Sequence, residues 1–354
     1  MDATDRRSRV DRPWIKWVLV GVAIVLLFVV PLLLPEFANQ TLARIGVFAV
    51  AVLGLNVVMG YAGQISLGQI FFVGLGAYVT AYGSNSGWNI ALVFVLACLI
   101  PAVVGMVVAL AAARLGGLAI AMVTIALPII GVPLAKRFSD LTGGSQGTSA
   151  RFSDAPEWTG LYDDQWQLYL VILIGGVTFL LTRNLVRGKY GRGFAIVKAN
   201  ESVSASMGVS PYRYKVLAFT IASLIGGVSG FLYMVVIQYT SPETMNFGHS
   251  IELLAAMVIG GAGSIVGSLI GGAWYVLVPQ VTNIIDPNFT TVMQGAILLV
   301  VLFFLPNGFV SLPGLFRRLR RRDASKRQGG ERPEQEPQSD SEQTDSDHTE
   351  RQHP

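Results

Sequence analysis

Few side chains in this 354-residue chain have the types and spacing that chemistry requires. A phosphate cradle needs glycines whose amides wrap the phosphates and a lysine beside them. The one Gly-Lys pair, Gly188-Lys189, has Arg183 where the first glycine of such a loop belongs, so no ATP site is expected. Cys98 is the only cysteine and lies in an apolar run, which excludes a disulfide framework and a thiolate metal site. Two of the three histidines, His348 and His353, stand in the polar C-terminal stretch, so a histidine-ligated metal is not expected either. Arg44, Arg114 and Glu252 fall near the ends of apolar runs, where they read as groups reaching for the interface. That placement weighs against a proton or sodium relay.

A second set of polar residues lies beside glycine-rich breaks. The segment "MGYAGQI" is echoed two hundred positions later by "IGGAGSI": Val58, Gly60, Ala62, Gly63 and Ile65 answer Val258, Gly260, Ala262, Gly263 and Ile265, and Leu53 answers Leu253. Paired glycine-interrupted helices in corresponding halves of a chain mark translocation paths. A broken helix presents amides inside the membrane, and its N-terminus offers about half a positive charge to a carboxylate. Asn56, Tyr61, Gln64, Ser66 and Gln69 flank the first break, with Ser264 and Ser268 beside the second. Each costs free energy in hydrocarbon unless it faces water or a partner. These side chains, with Gly63 and Gly263, are the candidate lining of a substrate path. Close helix packing accounts equally well for any individual glycine, of which the chain has 39.

The elements that must position these groups are membrane helices. The chain is 52% hydrophobic and 14% charged, against roughly 45–50% and about 25% in soluble domains, and a mean hydropathy of +0.54 agrees. An all-α, polytopic membrane protein of about ten transmembrane helices is expected. Runs near the ~20 residues that span about 30 Å of hydrocarbon lie at 17–34, 41–59, 64–82, 89–113, 116–135, 166–182, 213–237, 250–262, 264–283 and 289–305. The first follows Arg6, Arg7, Arg9, Arg12 and Lys16; it is too long for a secretory signal and no cleavage site follows, which favours an uncleaved anchor behind a basic arm at 1–16.

Charge sets the orientation. The segment from Arg183 to Lys215 is basic with a single acid, Glu201, and the arginines from Arg317 to Arg327 repeat the bias, so both belong in the cytoplasm. The connection 136–165 holds Asp140, Asp154, Glu157, Asp163 and Asp164 against three basic residues and suits the outside. Residues 250–285 form one long helix or two broken at Gly260–Gly263, and only the broken form keeps the arginine-rich C-terminal segment inside. The membrane domain is then 17–310, and 311–354 is a basic juxtamembrane segment with a disordered polar tail. A plasma (inner) membrane protein with both termini in the cytoplasm is expected.

In the basic loop "GRGFAIVKANESVSASMGVSPYRYK", Ile196, Ala199, Val203 and Met207 recur at helical spacing, with Lys198, Glu201 and Ser202 on the other face. The pattern predicts one helix over about 193–207, ended by Gly208 in a left-handed conformation, with Pro211 blocking its continuation. Such a helix lies on membrane lipid of the inner leaflet or seats in a groove of a cytoplasmic partner.

Three segments carry a specific resemblance: "GLNVVMGYAGQISLGQIFFVGLGAYV" (54–79), "LTGGSQGT" (141–148), and the run from Gly191 through "ANESVSASMGVSPYRYKVLAF" to "SPETMNFGHSIELLAAMVIGGAGSIVGSLIGG". Over most of residues 40–310 the chain resembles the permease subunits of branched-chain amino acid ABC importers, and more the longer of the two paralogous subunits. The resemblance makes the basic loop an ATPase-contacting motif, usually with a Glu-Asn-Glu start, two alanines and a Met-Gly end. Asn200, Glu201, Met207 and Gly208 match, whereas Ala199 replaces the first acid and Val203 and Ser204 stand where alanines are usual. With Ile196 they form the implied coupling set. Implied partners are a second homologous permease, two cytoplasmic ATP-binding subunits that hold the ATP and Mg, and an extracytoplasmic substrate-binding protein, with no nucleic acid. Implied cargo is leucine, isoleucine, valine or a related hydrophobic amino acid. A urea or short-amide importer is the close alternative; an ion-coupled carrier or passive channel would need no docking loop.

Overall fold

The computed structural model describes residues 29–114, 117–285 and 290–304. Most of the expected first span, the basic arm and everything beyond 304 lie outside the described residues.

The long apolar runs fold as helices because in hydrocarbon every backbone donor and acceptor must be satisfied within the segment. They are α1 (Glu36–Leu55), continued by a π-helical turn at Asn56–Tyr61, α2 (Gln69–Asn85), α3 (Ile90–Ala112) and α4 (Gly117–Arg137). After the short α5 (Ser139–Thr142) come α6 (Asp163–Arg187), α7 (Lys189–Ala199), α8 (Glu201–Ser206), α9 (Pro211–Ile237), α10 (Phe247–Gly260), α11 (Ile265–Ile285) and α12 (Thr290–Phe304). Among the described residues, six helices are long and apolar enough to cross a membrane, at 36–61, 90–112, 119–137, 163–187, 211–237 and 265–285. The protein is therefore an all-α, multi-pass membrane bundle.

Two expected boundaries change. The run expected as a helix over 64–82 begins only at Gln69, and residues 63–68 are irregular. Their freed polar groups find partners elsewhere: the Leu67 amide donates to Thr124 Oγ1 at 3.1 Å. Residues 250–285 resolve into two helices, as the charge argument requires, but the 14-residue α10 is only about 21 Å long at ~1.5 Å per residue, short of a full crossing.

The centre of the bundle is α9. Its sequence "SLIGGVSG" presents a small-residue surface, and it packs between α1, α2 and α3. Ser229 Oγ donates to the Val47 carbonyl of α1 at 2.9 Å, and Phe72, Phe219 and Leu232 fill the surrounding core. Peripheral α6 instead exposes Leu173, Val177, Leu180 and Leu181, as a surface meeting lipid should.

Side-chain contacts sort the connections to two ends. At one end β1 (Thr148–Ser149) pairs antiparallel with β2 (Tyr239–Thr240), Asn39 donates to Asp164, and Lys136 meets Glu243 at 3.2 Å. Hydrogen bonds from Asn246 and Lys136 hold the Glu243 carboxyl below its ordinary range. At the other end the π turn, α7, α8, the start of α9 and the α10–α11 turn converge. The first end carries Glu36, Asp140, Asp154, Glu157, Asp163, Asp164 and Glu243; the second carries Arg187, Lys189, Arg192, Lys198, Arg213 and Lys215.

Candidate functional site

At the basic end the two echoing glycine breaks meet. Helix α1 widens into the π turn at Asn56–Tyr61, where the Gln64 amide reaches back to the Val58 carbonyl at 2.9 Å. Such widened turns recur at functional positions of helices. Gly63 then reverses the chain with φ +72°, a region that β-branched residues essentially never occupy. The second break is tighter: α10 stops at Gly260, and Gly261 and Gly263 take positive φ before α11 starts at Ile265.

One side chain joins them. Asn56, fully buried, donates through Nδ2 to the Ser264 carbonyl at 2.7 Å and to Ser268 Oγ at 3.0 Å. Its Oδ1 accepts the Gly263 amide at 2.7 Å. The asparagine thus uses both ends of its amide to bond across more than two hundred residues. Gly60 is small because a Cβ there would strike Asn56 Oδ1 and the Gly263 amide.

The other candidate residues are placed as follows. Gln64 donates to the Lys215 carbonyl at 3.3 Å and Gln69 to the Ala222 carbonyl at 3.0 Å, tying the irregular segment to α9. Gln64, Ser66, Gln69 and Ser268 are buried, whereas Tyr61, Gly63, Gly263 and Ser264 keep accessible surface. Tyr61 packs against the Phe194 and Ala218 cluster beneath the basic loop.

The single helix expected over 193–207 is two. Asn200 leaves the helical region (φ −164°, ψ 118°) and caps α8, accepting the Ser202 and Val203 amides at 2.9 and 3.1 Å. The signal was present, since asparagine followed by an acid is a strong helix start. Gly208 adopts the expected left-handed conformation (φ +77°), and Pro211 opens α9. The break shifts the phase of the apolar face: Phe194 and Val197 are buried, Ile196 is half-buried, and Ala199, Val203 and Met207 face outward.

Lys198 and Glu201, assigned by periodicity to the outer polar face, are exposed as expected, yet each also reaches a partner in the bundle. Lys198 Nζ donates to the Gly60 carbonyl at 2.6 Å, and its stem crosses Gly63. The contact uses a carbonyl freed at the end of a helix, where a cation is favoured. Glu201 pairs with Lys215 at 2.6 Å, and that lysine is almost wholly buried.

Outside this site, "LTGGSQGT" forms a turn at the acidic end in which Gly143 and Gly147 take positive φ. The Tyr239 hydroxyl fixes it by donating to the Gln146 carbonyl at 2.7 Å.

Residues 37–302, which hold both breaks and the basic loop, match the family described as "Branched-chain amino acid transport system / permease component". The chain belongs to that permease family. The high-affinity branched-chain amino acid transport system permease protein LivM of Salmonella typhimurium is 28% identical over 293 residues, covering 75% of this permease and 68% of the relative. The LivH permease protein of the corresponding Escherichia coli system is 23% identical over 284 residues, 75% of this permease and 92% of the relative. The autoinducer 2 import system permease protein LsrC of Klebsiella pneumoniae is 27% identical over 122 residues, one third of each chain. No solved structure matches the permease significantly.

Proposed function

We propose that this permease is one of two related membrane subunits of an importer driven by separate ATPases, and that its cargo is a branched-chain or other hydrophobic amino acid. LivM and LivH, two similar relatives, are named as permease proteins of one kind of transport system, which supports a paired arrangement. On this reading an extracytoplasmic binding protein delivers substrate at the acidic end, and the basic end faces the cytoplasm. ATP and Mg belong to the partner ATPases.

The observation that carries the reading is the Lys198–Gly60 hydrogen bond at 2.6 Å. It joins the loop that would dock the ATPase to the glycine break that would gate the path, so a push on α7 reaches the break without an intermediate element. Ala199, Val203 and Met207, exposed in this chain, are the docking face, Asn200 shapes it, and Gly208 ends it. The accessible Tyr61, Gly63, Gly263 and Ser264 border the path, and buried Asn56, Gln64, Ser66, Gln69 and Ser268 frame it.

Val203→Asp tests the docking face. Val203 is 51% exposed here, so the substitution leaves the permease inserted. Against an ATPase groove, an unpaired charge costs several kcal/mol, comparable with a modest interface. Copurification of the ATPase should fall at least tenfold, and ATP-driven uptake with it. Normal values of both would reduce the loop to a surface helix. Absence of any copurifying ATPase with the unmodified chain would put an ion-coupled carrier ahead.

A further inference from the structure

Helices α1, α2, α9, α10, α11 and α12 and the segment 241–244 line an open cavity of about 560 Å³ near the acidic end. The volume lies within the ~300–1,000 Å³ usual for small-molecule sites. Opposite charges stand on its walls. Arg44 comes from α1, more than two turns inside that helix, and Glu252 comes from α10. Among the described residues Arg44 has no ion-pair partner. Glu252 meets His249 Nδ1 at 3.1 Å, and the Tyr275 hydroxyl lies 3.3 Å from the same nitrogen. Phe48, Ile70, Val73 and Val276 give the cavity an apolar side, and the rest of its wall is polar, with Ser241, Thr244, Gln280 and a second carboxylate, Glu243, which Lys136 meets at 3.2 Å.

Charged groups inside a membrane bundle are costly and, where they face an open cavity, mark a substrate path. With Glu243 engaged by Lys136, the remaining pair of Arg44 and Glu252, together with the apolar side of the cavity, matches three groups that occur together on a single small molecule. We infer that this cavity is a receiving site for a hydrophobic zwitterion, with Arg44 toward the α-carboxylate, Glu252 toward the α-ammonium, and the aliphatic side chain against Phe48 and Val276. The inference rests on the importer reading and deepens it. An uncharged amide such as urea would have no use for a fixed cation and a fixed carboxylate here.

Initial rates of radiolabelled L-leucine uptake into cells carrying the whole transporter, normalised to inserted permease, provide the test. The unmodified chain must import L-leucine or, failing that, another hydrophobic L-amino acid, which then serves as the probe; failure with L-leucine, L-isoleucine, L-valine and L-phenylalanine alike overturns the amino-acid reading itself, independently of any variant. Given that uptake, Arg44→Gln and Glu252→Gln should each lower it at least tenfold with ATPase copurification unchanged, while Arg44→Lys keeps half or more. Unmodified rates in both neutral variants, or an equal loss in Arg44→Lys and Arg44→Gln, would overturn the site while leaving the amino-acid reading in place. Should the neutral variants fail to insert, Gln280→Cys on the cavity wall decides. Labelling by a charged thiol reagent from outside, slowed by excess L-leucine, supports the site; absent or unprotected labelling overturns it.

Discussion

The first and second glycine breaks share five residues in register, yet their backbones differ. At the first, α1 widens into a six-residue π turn and the chain then runs irregularly to Gln69; at the second, α10 stays regular to Gly260 and α11 resumes at Ile265. In the two-hundred-residue register Asn56 corresponds to Ala256 and Tyr61 to Gly261. The first copy therefore carries the polar side chain that binds the second, and its Gly60 carbonyl accepts the Lys198 hydrogen bond from the basic loop. The lesson is a division of labour: the second break is a turn held in place, while the first holds it and takes the contact from the cytoplasmic end.

Substitution of the paired glycines should expose this asymmetry most strongly. Gly63 and Gly263 have nearly equal φ, +72° and +78°, so a side chain at either costs about 1–2 kcal/mol of backbone strain. Their surroundings differ. A Cβ on Gly63 would lie 2.6 Å from Lys198 Cγ, whereas one on Gly263 would come no nearer than 3.5 Å to the Gly60 carbonyl oxygen. Gly63→Val should abolish uptake while the complex still assembles, and Gly263→Ala should cost only a few-fold. Equal, mild losses in transport assays would mean that both glycines serve packing alone.

Asn56→Leu comes next. It strips the Gly263 amide of its partner and leaves the Ser264 carbonyl to Ser268 alone; an unsatisfied buried donor costs about 1–3 kcal/mol, and less where water reaches it, as at half-buried Gly263. Ser268→Ala removes one acceptor and leaves the other two contacts intact. The expected pattern is a clear drop in thermal stability of the purified complex and a tenfold or greater loss of uptake for Asn56→Leu, against a small change for Ser268→Ala. Similar melting temperatures for Asn56→Leu and the unmodified chain would show that the breaks hold together without the asparagine.

Much of the bundle was legible because uninterrupted apolar runs leave few alternatives. The expected 89–113 and 213–237 are found as 90–112 and 211–237. The breaks were legible as glycines, but their meeting was not, since one amide bonding across two hundred residues leaves no period in the sequence. Gln64 and Gln69 looked like lining because polarity in a membrane needs either water or a partner, and sequence does not say which; the structure gives both a carbonyl on α9. The basic loop misled for a different reason. Periodicity assumes an unbroken helix, and Asn200, by capping α8, reset the phase at the point where Lys198 and Glu201, still exposed, reach back to Gly60 and Lys215.

Lys198 offers the finest division of the comparison, because its ammonium and its stem both meet the first break. A lysine at helix-terminal carbonyls contributes about 0.3–1 kcal/mol, up to ~2 when partly buried, so Lys198→Gln should barely alter folding or insertion. The docking face of Ala199, Val203 and Met207 points away from the bundle, so ATPase copurification should also persist. What the substitution removes is the connection from α7 to the Gly60 carbonyl. ATP hydrolysis should therefore continue in reconstituted vesicles while substrate accumulation per ATP falls several-fold. Glu201→Gln, which breaks the pair with nearly buried Lys215, should instead lower stability as well, because it leaves that ammonium without its carboxylate. Unchanged accumulation per ATP in Lys198→Gln would mean that motion reaches the break through α9 instead, by way of Gln64 and the Lys215 carbonyl.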